Sequence, residues 1–174
     1  MLKVLIADDE EKICQLIIKL INWEEMGLKI AATASNGIEA LEQAKICKPE
    51  ILITDIRMPG IDGMELIRKV KEKLPDTEII IISGYRHFEY AQTAIRYGVR
   101  NYLLKPIKKE ELRDTLQKIA DIYREKNEQL NFEERVRLAL KNDAGKLRTS
   151  FISRMIYGDR ERENIISLKE LNNQ

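Results

Sequence analysis

The chain has 174 residues and carries 30 Lys and Arg against 29 Asp and Glu, a formal charge of +1. That length allows one core of roughly 100–150 residues plus an appendage and is short for two full domains. The charge balance excludes a global field that would draw the chain to nucleic acid or an anionic membrane, and the halves differ little: residues 1–104 hold 14 basic and 16 acidic side chains, residues 105–174 hold 16 and 13.

In chain order, Lys3-Val4-Leu5-Ile6-Ala7 reads as a buried strand that runs into Asp8-Asp9. Ile13, Leu16, Ile17, Leu20 and Ile21 then recur at helical spacing over residues 11–22, before Trp23 to Gly27 breaks the pattern. Residues 28–34 read as a second strand, Asn36-Gly37 as a turn, and Ile38, Leu41 and Ala44 as one face of a second helix closed by Lys48-Pro49. Ile51-Leu52-Ile53-Thr54 is a short, mostly β-branched run of the kind buried on both faces of a sheet, and it delivers Asp55 to a turn through Pro59-Gly60. A third helix follows through Leu66, Ile67, Val70 and Leu74, stopped by Pro75. The isoleucine strand 78–82 runs into Ser83-Gly84, a fourth helix carries Phe88, Ala91, Ala94 and Ile95 as far as Gly98, and Asn101-Tyr102-Leu103-Leu104 runs into Lys105-Pro106. Five strands alternating with helices predict a parallel sheet with right-handed crossovers and helices on both faces.

From Lys109 a heptad-like stripe begins, with Leu112, Leu116, Ile119, Tyr123, Lys126 and Leu130 spaced alternately by four and three. The helix is too long to be only the fifth crossover. It either continues into solvent or offers a pairing surface to a second copy or to the tail. Asn131-Phe132-Glu133-Glu134 has the form of a capping box and Asp143-Ala144-Gly145 of a break, so interruptions are expected at both. Phe151, Ile152, Met155 and Ile156, closed by Gly158, form another short apolar face, and Ile165, Ile166, Leu168 and Leu171 hint at one more.

In an open parallel α/β sheet, sites lie outside the carboxyl ends of the strands, which brings Asp8, Asp9, Asp55, Ser83 and Lys105 to one edge. Three adjacent carboxylates repel unless a hard cation is present, and Mg²⁺ resolves the conflict while leaving positions for phosphoryl oxygens. A carboxylate is also a competent nucleophile toward phosphorus, and Asp55, which ends a central-type strand and is followed by a turn that could expose it, is the best candidate. Lys105 would neutralise charge on the phosphoryl oxygens and the Ser83 hydroxyl would donate to them. Alone, each is an ordinary cap or turn residue; the specificity lies in their recurrence at successive strand ends.

These residues, with Asp55-Ile56-Arg57-Met58-Pro59-Gly60-Ile61-Asp62-Gly63 at the third strand, give residues 1–120 a strong resemblance to the receiver domain of two-component response regulators. The resemblance implies a flavodoxin-like (CheY-like) doubly wound five-stranded parallel sheet of order 2-1-3-4-5. Residues 1–124 would form the receiver and 125–174 a C-terminal helical extension. It implies that Asp55 accepts phosphate from a sensor histidine kinase and that Asp9, Asp55 and the Arg57 carbonyl hold Mg²⁺, with Asp8 acting directly or through water. Ser83 and Lys105 would bind the phosphoryl group, Lys105-Pro106 would be cis, and Tyr102 would be the aromatic that switches together with Ser83. Residues 83–106 and 147–158 also resemble, more weakly, the subfamily whose receivers precede AraC-type DNA-binding domains. The chain departs from that pattern by ending at Gln174 before paired helix-turn-helix units. DNA contact is therefore expected only through a part not present here.

Two readings of other classes compete. One is a pseudo-receiver that is never phosphorylated and serves as a dimerisation or docking module; the intact set at Asp8, Asp9, Asp55, Ser83 and Lys105 argues against it. The other is an Asp-nucleophile phosphatase, which needs a second acid two residues beyond the nucleophile, where Arg57 stands. Cys14 and Cys47 are expected as buried free thiols, His87 as a surface or capping residue, and the chain as cytoplasmic, with no leader or membrane-spanning run.

Overall fold

The computed structural model describes residues 1–84, 88–99 and 101–157. The chain divides into two compact units, Met1–Tyr123 and Arg124–Gln174. In the first, β1 (Leu2–Ala7), α1 (Glu11–Leu20), β2 (Leu28–Ala34), α2 (Gly37–Cys47), β3 (Ile51–Thr54), α3 (Gly63–Lys73), β4 (Glu78–Ser83), α4 (Phe88–Arg96) and β5 (Asn101–Leu104) alternate, followed by the start of α5 (Lys109–Tyr157). The strands form one parallel sheet in the order β2-β1-β3-β4-β5. This is the doubly wound, CheY-like topology that the resemblance implied.

The strand period of two sorts the core into two layers. Val4, Ile6, Ile51, Ile53, Ile80 and Ile82 face one way, onto Cys14 and Ile17 of α1 and Leu112, Leu116 and Ile119 of α5. Leu5, Leu52, Ile79 and Ile81 face the other, onto Ala40 and Ala44 of α2 and Leu66, Ile67 and Val70 of α3. The central strands therefore show no polar alternation: every residue of β3 is buried, and each aliphatic side chain contributes about 1.5–3 kcal/mol. Asn36 caps α2 by accepting from Glu39 N–H at 2.9 Å, while the Glu39 carboxylate reaches back to Ser35 N–H at 2.8 Å. Asp62 caps α3 by accepting from Glu65 N–H at 2.8 Å. At the opposite sheet edge the Tyr123 hydroxyl donates to the carbonyls of Glu50, at 3.2 Å, and Asp76.

The expected interruptions of the last helix at Asn131 and at Asp143-Ala144-Gly145 do not occur, because α5 is unbroken over Lys109–Tyr157. A capping box acts only where a helix starts, and 131–145 is otherwise rich in Glu, Arg, Lys, Leu and Ala, with no proline beyond Pro106. One interior glycine, Gly145, costs only about 1 kcal/mol. The expectations for His87, Gly158 and the apolar face at 165–171 lie outside the described residues. Cys14 and Cys47 are free thiols; Cys14 is buried as expected, whereas Cys47, the last residue of α2, is only half-buried. Among the described residues no helix is long and apolar enough to cross a membrane.

Candidate functional site

The sheet's hydrogen-bond ladder runs one step past the strands and carries the site with it. Asp8 N–H donates to Ala34 O at 3.1 Å, Asp55 N–H to Ala7 O at 2.9 Å and Lys105 N–H to Ser83 O at 2.9 Å. Ser83 pairs in register with Leu104, next to Lys105. Carboxylate oxygens of Asp8, Asp9 and Asp55 consequently lie within 4.8 Å of one another, with Asp8 and Asp55 buried and Asp9 exposed. The Lys105-Pro106 peptide bond is cis, as the resemblance implied.

The Lys105 ammonium sits among the acids, 2.7 Å from Asp55 Oδ2, 2.9 Å from Asp8 Oδ2 and 3.6 Å from Glu10 Oε1. Burial works against its charge, but the hydrogen bond to Asp55 and the proximity of Asp8 outweigh it and raise the pKa above the ordinary lysine value. Asp55 Oδ1 accepts from the backbone N–H groups of Ile56 and, at 3.3 Å, Arg57. Asp8 Oδ1 accepts from Glu10 N–H at 2.9 Å. Its Oδ2 is buried, and the Lys105 ammonium at 2.9 Å is the charge that compensates it. Burial, reinforced by the Asp55 charge, raises the Asp8 pKa even though the Glu10 N–H and Lys105 oppose it. One ammonium against three carboxylates leaves about two negative charges uncompensated at the pocket mouth, the situation a hard divalent cation relieves.

Each residue singled out in the sequence is at this edge or beside it. Ser83 is buried at the end of β4, Arg57 is exposed just beyond Asp55, and Tyr102 is half-buried on β5 opposite Ile81, packed against the α2–α3 layer. Four further contributors were not read from the sequence. Glu10 supplies both the N–H on Asp8 and a more distant carboxylate to Lys105. Thr54 Oγ1 donates to Asp55 O at 2.8 Å. Cys14 Sγ lies 3.8 Å from Asp8 O, and burial together with the Asp8 charge pushes its thiol up. Gly63 donates to Ile56 O at 2.7 Å, and a Cβ there would lie 2.0 Å from Asp55 O. Gly63, at the start of α3, thus sets how closely that helix approaches the Asp55 backbone.

The family model described as response regulator receiver domain matches residues 4–117. This chain belongs to the response regulator receiver family. A transcriptional regulatory protein from Bacillus subtilis, YesN, is 40% identical over 139 residues, covering 76% of this chain and 38% of that protein. HptR, a transcriptional regulatory protein from Staphylococcus aureus, is 40% identical over 107 residues, covering 62% of this chain and 42% of that one. The chain thus spans less than half the length of these relatives. Among solved structures, the receiver domain of AraT, a response regulator from Geobacillus stearothermophilus, superposes with a TM-score of 0.69 at 41% identity, covering 72% of this chain and 98% of that one. A two-component transcriptional regulator AraC from Clostridium phytofermentans gives 0.65 at 36% identity, covering 70% and 94%.

Proposed function

We propose that this receiver takes a phosphoryl group on Asp55 from the phosphohistidine of a sensor histidine kinase and relays the event as a change of conformation. The observation that carries the reading is the Asp55 carboxylate itself. It is only 9% exposed, tied through Oδ1 to two backbone N–H groups, and held through Oδ2 by Lys105 at 2.7 Å. Such a carboxylate is oriented before the donor arrives, so little ordering remains to be done at the moment of transfer. A carboxylate oxygen forms the new bond to phosphorus as the phosphorus–nitrogen bond of the donor breaks. The electron pair of that bond returns to the imidazole, which takes up a proton.

Asp8, Asp9 and Asp55 would hold Mg²⁺, with the Arg57 carbonyl as a further oxygen. The fit rests on three carboxylates whose oxygens gather within 4.8 Å of one another against a single ammonium, and on a donor set made of hard oxygens. When bound, the ion supplies charge neutralisation for the phosphoryl oxygens. Lys105 keeps its proton and neutralises the oxygen nearest β5, and the Ser83 hydroxyl donates to another. Addition of the group changes Asp55 from one negative charge toward two and adds acceptor oxygens. Ser83 and Tyr102 are the switch pair: Tyr102 lies two residues before Leu104, the register partner of Ser83, so a movement of Ser83 toward the phosphate repacks the β4–β5 edge. Transcription is the output, as the names of YesN and HptR suggest, with DNA contacted by residues outside the receiver.

The test is labelling by acetyl phosphate in Mg²⁺, read by intact mass. The wild-type chain gains one phosphoryl group. Asp55→Asn gains none and keeps its fold, because Asn retains the oxygen that accepts from Ile56 and Arg57. Equal labelling of the variant would put the acceptor elsewhere.

A further inference from the structure

A second surface lies at the other edge of the sheet. Residues 44–48 precede β3 and residues 69–74 precede β4, so the carboxyl-terminal ends of α2 and α3 meet where the strands begin, away from the acid pocket. Between them is an open groove of about 200 Å³, floored by Leu41, Ala44, Val70 and Leu74 and rimmed by Lys45, Lys48, Lys69 and Lys73. Lys69 faces Glu65 at 3.4 Å. Among the described residues Lys45, Lys48 and Lys73 have no carboxylate within ion-pair distance.

Lysines at helix carboxyl ends are ordinarily explained by the helix dipole, which offers about half a negative charge per helix. Here two half-charges and Glu65 stand against four ammonium groups, which leaves about two positive charges over an apolar floor. Lys48 adds an independent sign. It takes φ +47° at the end of α2, donating its N–H to Ala44 O at 3.0 Å, and is the one non-glycine with positive φ among the described residues. Glycine or asparagine is the usual occupant of such a cap, and a lysine there bears the left-handed strain. The strained backbone holds a charged side chain at the groove rim.

We propose that this groove docks an acidic peptide segment of a partner protein, with one aliphatic side chain seated on Leu41, Ala44, Val70 and Leu74 and flanking carboxylates on Lys45, Lys48 and Lys73. The volume decides against a metabolite or cofactor, whose pockets run from about 300 to 1,000 Å³. The concave shape decides against a flat lipid surface, and the charge selects the acidic partner. The site is independent of Asp55 chemistry.

The experiment titrates the isotope-labelled full chain with a twelve-residue glutamate-rich peptide carrying one central leucine, followed by amide and methyl resonances. Saturable shifts at Leu41, Ala44, Val70 and Leu74, unchanged in Asp55→Asn, are expected. Charge reversal of Lys45, Lys48 and Lys73 together weakens binding about tenfold, roughly 0.5 kcal/mol for each exposed pair. Lys48→Gly weakens binding without lowering the melting temperature, since glycine suits that backbone better. No saturation, shifts centred elsewhere, equal binding by the triple variant, or equal binding by a peptide with serine in place of leucine would each overturn the proposal. So would lysine-dependent binding to phosphatidylglycerol vesicles in the absence of peptide binding, which would assign the groove to a membrane.

Discussion

Asp9→Asn separates what the acid pocket costs from what it does. Asp9 is the exposed member of a set whose oxygens lie within 4.8 Å of one another. At that separation two like charges repel by about 1 kcal/mol in water-like surroundings and by about 3.5 kcal/mol at an effective dielectric of 20. Exposure places Asp9 near the lower figure, and the Lys105 ammonium between Asp8 and Asp55 cancels about one of its two repulsions. The substitution therefore stabilises the metal-free chain by about 1 kcal/mol, which raises the melting temperature by roughly 4 °C for a unit of this size. With Mg²⁺ at a hundred times its dissociation constant the wild-type chain gains about 2.7 kcal/mol, whereas the variant, short of one oxygen donor, gains little. The order of stability then inverts between EDTA and Mg²⁺. Thermal unfolding followed by circular dichroism in both buffers reads the crossover directly. A variant less stable than wild type in EDTA, or an equal response of both to Mg²⁺, would refute the charge accounting.

Two further substitutions probe the frame around the site. Gly63→Ala forces a Cβ to within 2.0 Å of the Asp55 carbonyl and 2.9 Å of Ile56 Cα, both backbone, so it should cost about 3 kcal/mol or more in urea unfolding and slow phosphoryl acceptance as Asp55 is displaced. Tyr123→Phe removes the donor shared by the Glu50 and Asp76 carbonyls and should cost about 1 kcal/mol at neutral pH. Burial, helped by Glu78, Glu50 and Asp76, pushes the Tyr123 hydroxyl up to about 12, whereas an unfolded tyrosine ionises near 10. The contribution is complete below pH 10 and is lost as pH rises from about 10 through 12, because the unfolded chain releases its proton first. The stability difference between wild type and Tyr123→Phe, measured by urea unfolding from pH 8 to 12, should shrink over that window; a constant difference would place the tyrosine in an ordinary environment.

The sheet and the acid pocket were legible because in this architecture period and position are the same information. A four-residue run such as Ile51 to Thr54 is buried on both faces only in a central parallel strand, and whatever follows it must emerge at the carboxyl edge. Asp55, Asp8, Ser83 and Lys105 each follow or close such a run, so strand assignment located them together. The unbroken course of α5 was not legible, since Asn131 to Glu134 has the local form of a start and only the surrounding helix formers decide against it. Nor was the bond from Tyr123 to two carbonyls some fifty and seventy residues earlier, which no periodicity encodes. The side chain of Glu10 and the left-handed backbone of Lys48 depend on how the ends of elements settle, a level below the pattern that specifies the elements themselves.

The extension of the ladder past the strand ends bears on how such a unit can be reused. Asp8, Asp55 and Lys105 are anchored by main-chain bonds to Ala34, Ala7 and Ser83, so their spacing is inherited from the sheet and owes little to the identity of the helices' outer residues. Substitutions on those outer faces, the lysine rim between α2 and α3 included, therefore leave the spacing of the acid pocket unchanged. The same rooting makes the pocket intolerant of any one-residue slip in β3, which would exchange the two core layers and carry Asp55 out of reach of Lys105.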